Sequence, residues 1–321
     1  MKIAFSPSVY EHSAFLIDKS PWEVSRDANL LFKGHAKAYE LYNHTPIVVG
    51  VDIYNLEAEA YGCIVNNPDG NGIPAITKPI IKSIDEAMKI KAFNPLRDGR
   101  IKMVIETGER LAKEFPDADV RIPVSGPFSI AINLMGFENL LESIAYMPNK
   151  VCNFLKQLAI NQVPFCRAIV DAGLDVAFFE SAAAPPLLSP KYFNEVELPA
   201  LKYAIEQVSE VVGHPVPCII GGDTEPILDD ILSTGTGYII CPAETDQAKF
   251  MAKFGRRTDV KVRINTNPFI IVKGTKDEII SEVDRIINIA DERPNILLGT
   301  GALPYETPPE NILLVKEYVS E

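Results

Sequence analysis

Short apolar runs alternate with longer amphipathic stretches along most of the chain, a pattern that predicts a parallel α/β fold. Strands are expected near residues 46–52, where TPIVVGVDIY is rich in β-branched residues, and in the segment PDADVRIPVSGPF. Further apolar runs fall at 175–179, 216–221, 237–241, 260–264 and 295–299. Their β-branched, apolar character suits strands buried on both faces. Most are separated by enough sequence for a crossover helix, for example PKYFNEVELPALKYAIEQVSEVV. In TKDEIISEVDRIINIA, Ile279, Ile280, Val283, Ile286 and Ile287 form an apolar helix face. Such crossovers connect parallel strands. Helices are also expected over 22–43, 84–92 and 98–115.

Seven strands emerge, with 163–169 the candidate for an eighth, although that stretch also suits a helix. The expected fold class is α/β: a (β/α)8 TIM barrel forming a single domain over 1–321, with residues 1–45 as an N-terminal helical extension. An open doubly wound sheet is the runner-up. Against it, the glycine-rich segment Gly70–Ala75 (GNGIPA) has neither phosphate-loop nor dinucleotide-loop spacing and reads as a rim loop.

In a barrel the polar residues that end the strands converge on one mouth. Asp52 follows VVGV, Gly126 follows PVS, Glu180 follows VAFF, Asp223 follows CIIGG, Asn265 follows VRI and Thr300 follows LLG. Asp52 suits either a pocket or a helix cap. Glu180 suits capping less; behind two phenylalanines it can serve as proton donor, general base or metal ligand, or form a structural salt bridge. Asp223 suits capping and ligand contact equally. Asn265 and Asn267 can orient a polar substrate or satisfy a turn. Thr300 is expected to face the mouth, and Tyr54 and Tyr305 are further candidates for substrate contact, with loop packing the plainer role for Tyr305.

Composition narrows the partners. With 43 acidic and 31 basic residues the formal charge is −12, which disfavours nucleic acid and anionic membrane surfaces. Five dispersed cysteines form no CxxC pair and favour a reducing compartment. No signal peptide and no apolar stretch of membrane-spanning length is apparent, so a soluble, cytoplasmic protein is expected. Histidines 12, 35, 44 and 214 form no HxH or HExxH arrangement. Glu180, Glu195 and His214 are donors of the right types for zinc, but His214 precedes its strand and belongs at the opposite face from Glu180.

The landmarks VGVDIYNLEAEAYG, SGPFSIA, DVAFFESAAAPPLLSPKYFNEVELP, GGDT, INTNP and GALPYETPPENI, taken in order, resemble the uroporphyrinogen decarboxylase superfamily, including its cobamide-dependent methyltransferase branches. The resemblance runs from about residue 30 to residue 319. It implies that Asp52 matches the family's pocket aspartate. The arginine-rich N-terminal signature of true decarboxylases is missing, and Gly299-Thr300-Gly301 stands where they carry glycine–histidine–glycine. Thiol-alkylating members bind zinc through His-x-Cys and a distant cysteine; here those positions read Ile219-Ile220-Gly221 and Gly301. Zinc is therefore uncertain as a cofactor and any metal site is unknown.

What the resemblance implies is a corrinoid-dependent methyltransferase moving a methyl group between a small methylated substrate (a methyl ether, methylamine or methylpterin) and a corrinoid protein. The corrinoid (cobalamin) would be carried by that partner. Glu180 is expected to supply the proton, with Asp52 and Asp223 orienting the substrate. A catalytically inactive small-molecule-binding or regulatory barrel is the alternative, uroporphyrinogen decarboxylation a lesser one, and a homodimer is compatible with the chain.

Overall fold

The computed structural model describes residues 2–320. Its ten strands are β1 (Ala4–Ser8), β2 (Ile47–Val48), β3 (Val65–Asn66), β4 (Ala75–Ile76), β5 (Val120–Ser125), β6 (Asp175–Phe179), β7 (Pro217–Cys218), β8 (Tyr238–Cys241), β9 (Lys261–Asn265) and β10 (Ile296–Ala302). Five pair in parallel in the order β1-β10-β9-β8-β7, and three more in the order β2-β5-β6. The two groups meet at Phe179 and Ile219, where Ile219 N–H donates to Phe178 O at 3.0 Å and Glu180 N–H to Ile219 O at 2.9 Å. Across the remaining seam, Ser6 Oγ donates to Thr45 O at 2.8 Å. Eight parallel strands thus close into a barrel, and β3 and β4 form an antiparallel hairpin outside it.

The expected eighth strand is corrected. Residues 163–169 lie inside the 24-residue helix Pro148–Asp171, whose Leu155, Leu158, Gln162, Phe165 and Ile169 recur at helical spacing and are buried. The missing strand is β1, within the segment expected to be only a helical extension. It pairs with β10 in the register Ala4↔Leu297 and Phe5↔Leu298. The rest of that segment is helical, but the run expected over 22–43 is two helices, Pro21–Arg26 and Ala28–Tyr42. Asp27 lies between them in an extended conformation, its carboxylate accepting from Asn29 N–H at 2.8 Å and Leu30 N–H at 2.9 Å. It is a helix cap in mid-run. Gly70–Pro74 falls in the connection of the β3–β4 hairpin, a rim position, and Ala75 opens β4.

The crossover after β6 changes pitch. Phe193–Glu197 forms a wide π-type turn between Pro190–Tyr192 and the helix Leu198–Val212. Such turns re-aim side chains within an otherwise helical run, and this one carries Glu197 into the interior. The helix Lys276–Ala290 buries Ile279, Val283 and Ile286 behind a capping box formed by Thr275 and Glu278. Among the described residues no helix is long and apolar enough to cross a membrane.

Candidate active site at the barrel mouth

At the carboxyl end of the barrel lies a cavity of about 300 Å³. Tyr10, Tyr54, Phe179, Ile219 and Ile240 supply its apolar wall, and Ser181, Arg263, Asn265, Thr300 and Glu244 its polar points. Phe179 is the hub of the aromatic wall: its ring centroid lies 6.0 Å from that of Tyr10 and 6.0 Å from that of Tyr54, both near-perpendicular. Edge-to-face packing of this kind holds aromatic rings in defined orientations.

The polar strand ends do not all enter this cavity. Of Asp52, Glu180, Asp223 and Asn265, only Asn265 lines it. Asp52 is buried in an ion-pair network, its Oδ2 accepting from Arg100 and, at 3.1 Å, from Asn55 Nδ2. Burial pushes the Asp52 carboxyl above its ordinary value, and the Arg100 guanidinium opposes that push. Asp223 Oδ1 accepts from Thr245 Oγ1 at 2.7 Å, which ties together the loops after β7 and β8. Asn267 caps the helix Pro268–Lys273 through Phe269 N–H at 3.0 Å. Tyr305 lies away from the cavity, donating its hydroxyl to Lys19 O at 3.0 Å and packing on Phe15. Tyr54 and Thr300 do line it. The Thr300 hydroxyl accepts from Ser8 N–H at 3.3 Å and donates to Gly301 O at 2.8 Å.

Glu180 is turned away from the cavity into the first turn of the helix Pro127–Met135. Its Oε2 accepts from Phe128 N–H at 3.1 Å, and its Oε1 from Ser129 N–H at 2.7 Å and Ser129 Oγ at 2.6 Å. A helix N-terminus offers unpaired amides to a carboxylate. Gly126 makes this docking possible, because a Cβ there would stand 1.9 Å from Glu180 Oε2. Burial raises the Glu180 pKa to about 7. Its buried neighbour Glu197 has no hydrogen-bond donor on either oxygen among the described residues. Burial and repulsion from Glu180 hold Glu197 well above the carboxylate range, so Glu197 keeps its proton as Glu180 ionises.

Sequence reasoning missed the route from Glu180 to the cavity. Ser129 Oγ, bonded to Glu180, lies 3.3 Å from the hydroxyl of Ser181, which lines the cavity, and accepts from Ser181 N–H at 2.9 Å. Glu180, Ser129 and Ser181 therefore form a hydroxyl relay through the wall. Both serines stand in segments already distinguished, SGPFSIA and FFESAAA. The signal that could have found them is a hydroxyl one residue past the acid, and another in the first turn of the preceding strand's helix. Arg263, inside the apolar strand β9, was missed as well.

His214 packs at the opposite end, with Nε2 3.2 Å from Asp175 Oδ1 at the start of β6, and Glu195 is exposed. Ile219, Gly221 and Gly301, where the resemblance places zinc ligands, all border the cavity and offer no side-chain donor. The residues present do not fit the thiol-type zinc site. Among the described residues no group of three or more His, Cys, Asp or Glu side chains is placed to hold a metal.

Comparison with known proteins now decides the family. The sequence profile of the family described as Uroporphyrinogen decarboxylase (URO-D) matches residues 8–321. The chain belongs to the uroporphyrinogen decarboxylase family. Among its curated relatives is methylcobamide:CoM methyltransferase of Methanosarcina acetivorans, 24% identical over 238 residues, covering 70% of this chain and 62% of the relative. Another is uroporphyrinogen decarboxylase 2, chloroplastic, of Arabidopsis thaliana, 27% identical over 259 residues, covering 77% of this chain and 63% of the relative. The chain thus spans less than two thirds of the length of either. A solved methyltransferase from Methanosarcina mazei has the same fold, with a TM-score of 0.85, 19% identity, and coverage of 99% of this chain and 94% of that one. Family membership thus spans both decarboxylases and cobamide methyltransferases, and the site must choose between them.

Proposed function

We propose that this member of the family is a corrinoid-dependent methyltransferase acting with a separate corrinoid-binding protein on a small methylated substrate. The carrying observation is the cavity: about 300 Å³, at the small end of ligand pockets, with Thr300 rather than histidine at its edge. That volume favours a small substrate over a polycarboxylate macrocycle. The buried Thr300 hydroxyl is already engaged by Ser8 and Gly301 and is a poor proton donor to a substrate.

The partner's corrinoid would supply the centre that exchanges the methyl group. This chain's residues hold the substrate against the aromatic wall, exclude water and move a proton. When a methyl–oxygen bond breaks, the leaving oxygen needs a proton. In its acid form Glu180 passes one to Ser129 Oγ, Ser129 passes its own to Ser181 Oγ, and Ser181 passes its own to the leaving oxygen. Glu180 is fully buried, so water in the cavity returns its proton through the same hydroxyls in reverse, which closes the cycle. Exposed Leu187, on the loop after β6, and Phe269, in the first turn of the helix Pro268–Lys273 after β9, give the rim an apolar surface suited to a docked partner. We place this chemistry in one barrel domain in the cytoplasm.

The test mixes the protein with a reduced corrinoid protein and a panel of methyl ethers, methylamines and methylpterins, and follows methylation of the corrinoid by absorbance. Transfer from a methyl ether is expected, declining as pH rises through about 7, where Glu180 loses its proton. Glu180→Gln should lower that rate about 10²–10⁴-fold and flatten the pH profile. A parental rate in Glu180→Gln removes the relay; no transfer with any substrate in either direction favours a binding barrel instead.

A further inference from the structure

Arg263 projects from the middle of β9 into the barrel, 5% exposed. Its register partner on β10 is Leu297, yet its side chain passes beside Gly299, two residues nearer the mouth. A Cβ on Gly299 would lie 2.4 Å from Arg263 Cδ and 2.7 Å from Nε. The arginine thus climbs the barrel axis toward the mouth cavity, and only glycine at 299 leaves room for it.

There it meets no carboxylate. Among the described residues Arg263 makes no ion pair, and its one side-chain hydrogen bond runs from Nε to Asn265 Oδ1 at 3.1 Å. Neither terminal nitrogen has an acceptor among the described residues, and Arg263 lines both this cavity and a second one on the side of Thr45 and Lys261. The bond to Asn265 also fixes the amide, because Nε can only donate and so must face the oxygen. Asn265 Nδ2 is thereby turned outward, close to Gly301, with no acceptor among the described residues. Glu244, the cavity's acidic residue, is exposed at the rim and unpaired with Arg263. A guanidinium is charged at every working pH, and a buried charge without a counter-charge is strongly unfavourable. The inner cavity therefore holds a guanidinium and an amide donor with only neutral hydroxyls, and no carboxylate, to meet them.

The geometry points to a carboxylate-bearing ligand: the small substrate of this cavity carries a carboxylate, which Arg263 grips through its two terminal nitrogens with Asn265 Nδ2 beside it. The guanidinium fork pairs bidentately with a carboxylate or a phosphate, and the carboxylate is the smaller of the two for a cavity of about 300 Å³. The body of the ligand is apolar or aromatic, lying against Tyr10, Tyr54 and Phe179. As a statement about the methylated substrate this rests on the methyltransferase reading; as a statement about binding it does not.

Calorimetry with benzoate as probe, and no corrinoid protein, separates the two. Benzoate is expected to bind, and its neutral isostere benzamide to bind at least about 30-fold more weakly, the scale expected when one partner of a buried charged pair is lost. Benzenesulfonate and inorganic phosphate are expected to bind more weakly than benzoate. Arg263→Met should reduce benzoate affinity to the benzamide level, while Arg263→Lys retains part of it. Equal binding of benzoate and benzamide by the parent protein overturns the inference, a result that needs no variant to fold. Unchanged benzoate affinity in Arg263→Met does the same, and a preference for phosphate or benzenesulfonate overturns the choice of carboxylate. If benzoate binds through Arg263 but no methyl ether, methylamine or methylpterin of the panel transfers its methyl group in either direction, the carboxylate site stands and the methyltransferase reading falls.

Discussion

Arg100 and Arg263 are buried to almost the same degree, 8% and 5% exposed, yet their surroundings are opposite. Arg100 donates Nε to Glu59 at 2.7 Å, Nη1 to Ser25 O at 3.3 Å and Nη2 to Asp52, so each arm has an acceptor. Arg263 has one neutral partner and two open arms. A charge taken out of water needs its counter-charge supplied from somewhere. For Arg100 the fold supplies it, from the loop after β2 and the helix Leu56–Ala60, and the result is structure. For Arg263 the described residues supply none, and the side chain lines the cavity. Of these two buried arginines, the incompletely paired one is the one that lines the cavity.

The largest effect expected from breaking this contrast is on the paired side. Arg100→Met leaves buried Asp52 without its cation and Glu59 with Arg26 alone, and should destabilise the protein by about 3–5 kcal/mol, measured by denaturant unfolding. Loss of less than about 1 kcal/mol would mean that the network is not holding the β2 loop.

A smaller effect comes from carboxylates that no arginine partners. Burial raises Glu11, Glu57 and Glu180 to about 7. Their folded pKa values lie above the unfolded value of 4.5, so the folded state binds more protons between about 4.5 and about 7. The stability they contribute is fully present below the unfolded pKa and is lost as pH rises through about 7. Melting temperature should therefore fall across that window. Glu57 accepts from Ser125 N–H at 2.6 Å and Gln162 Nε2 at 3.3 Å but leaves Oε2 unpartnered. Glu57→Gln should make the decline shallower, and an unchanged slope would exclude Glu57 as a contributor.

The same contrast explains what could be read from sequence. Strands with apolar, β-branched runs, such as β6 and β8, are legible because burial on both faces leaves a continuous signal. AFSPS, the segment of β1, is short and broken by two serines and a proline, with an irregular register between Ser6 and Ser8. Its strand character comes from pairing with β10, a contact that no local pattern announces. The 163–169 stretch misleads in the converse way: an apolar run in a buried helix looks the same as one in a buried strand.

In the site, the positions of polar residues at strand ends are legible and their directions are not. Glu180 follows an apolar strand as expected, but the free amides of Phe128 and Ser129 draw its carboxylate behind the wall. Asp52 is similarly drawn to Arg100, 48 residues away in sequence. Arg263 was hidden for a simpler reason: attention to strand ends passes over a charge in a strand's middle. A lone arginine in KVRIN is the local signal, and its lack of a partner is visible only in three dimensions.

The most direct test compares the melting temperature of Arg263→Met with that of the parent, both without ligand. Methionine keeps much of the side chain's volume beside Gly299 and removes a charge that the fold does not pair. The account predicts that the variant melts higher, since replacing an uncompensated buried charge with an apolar group relieves desolvation. A variant that melts lower, as Arg100→Met is expected to, would show that Arg263 is held by the fold after all, and the carboxylate site would lose its foundation.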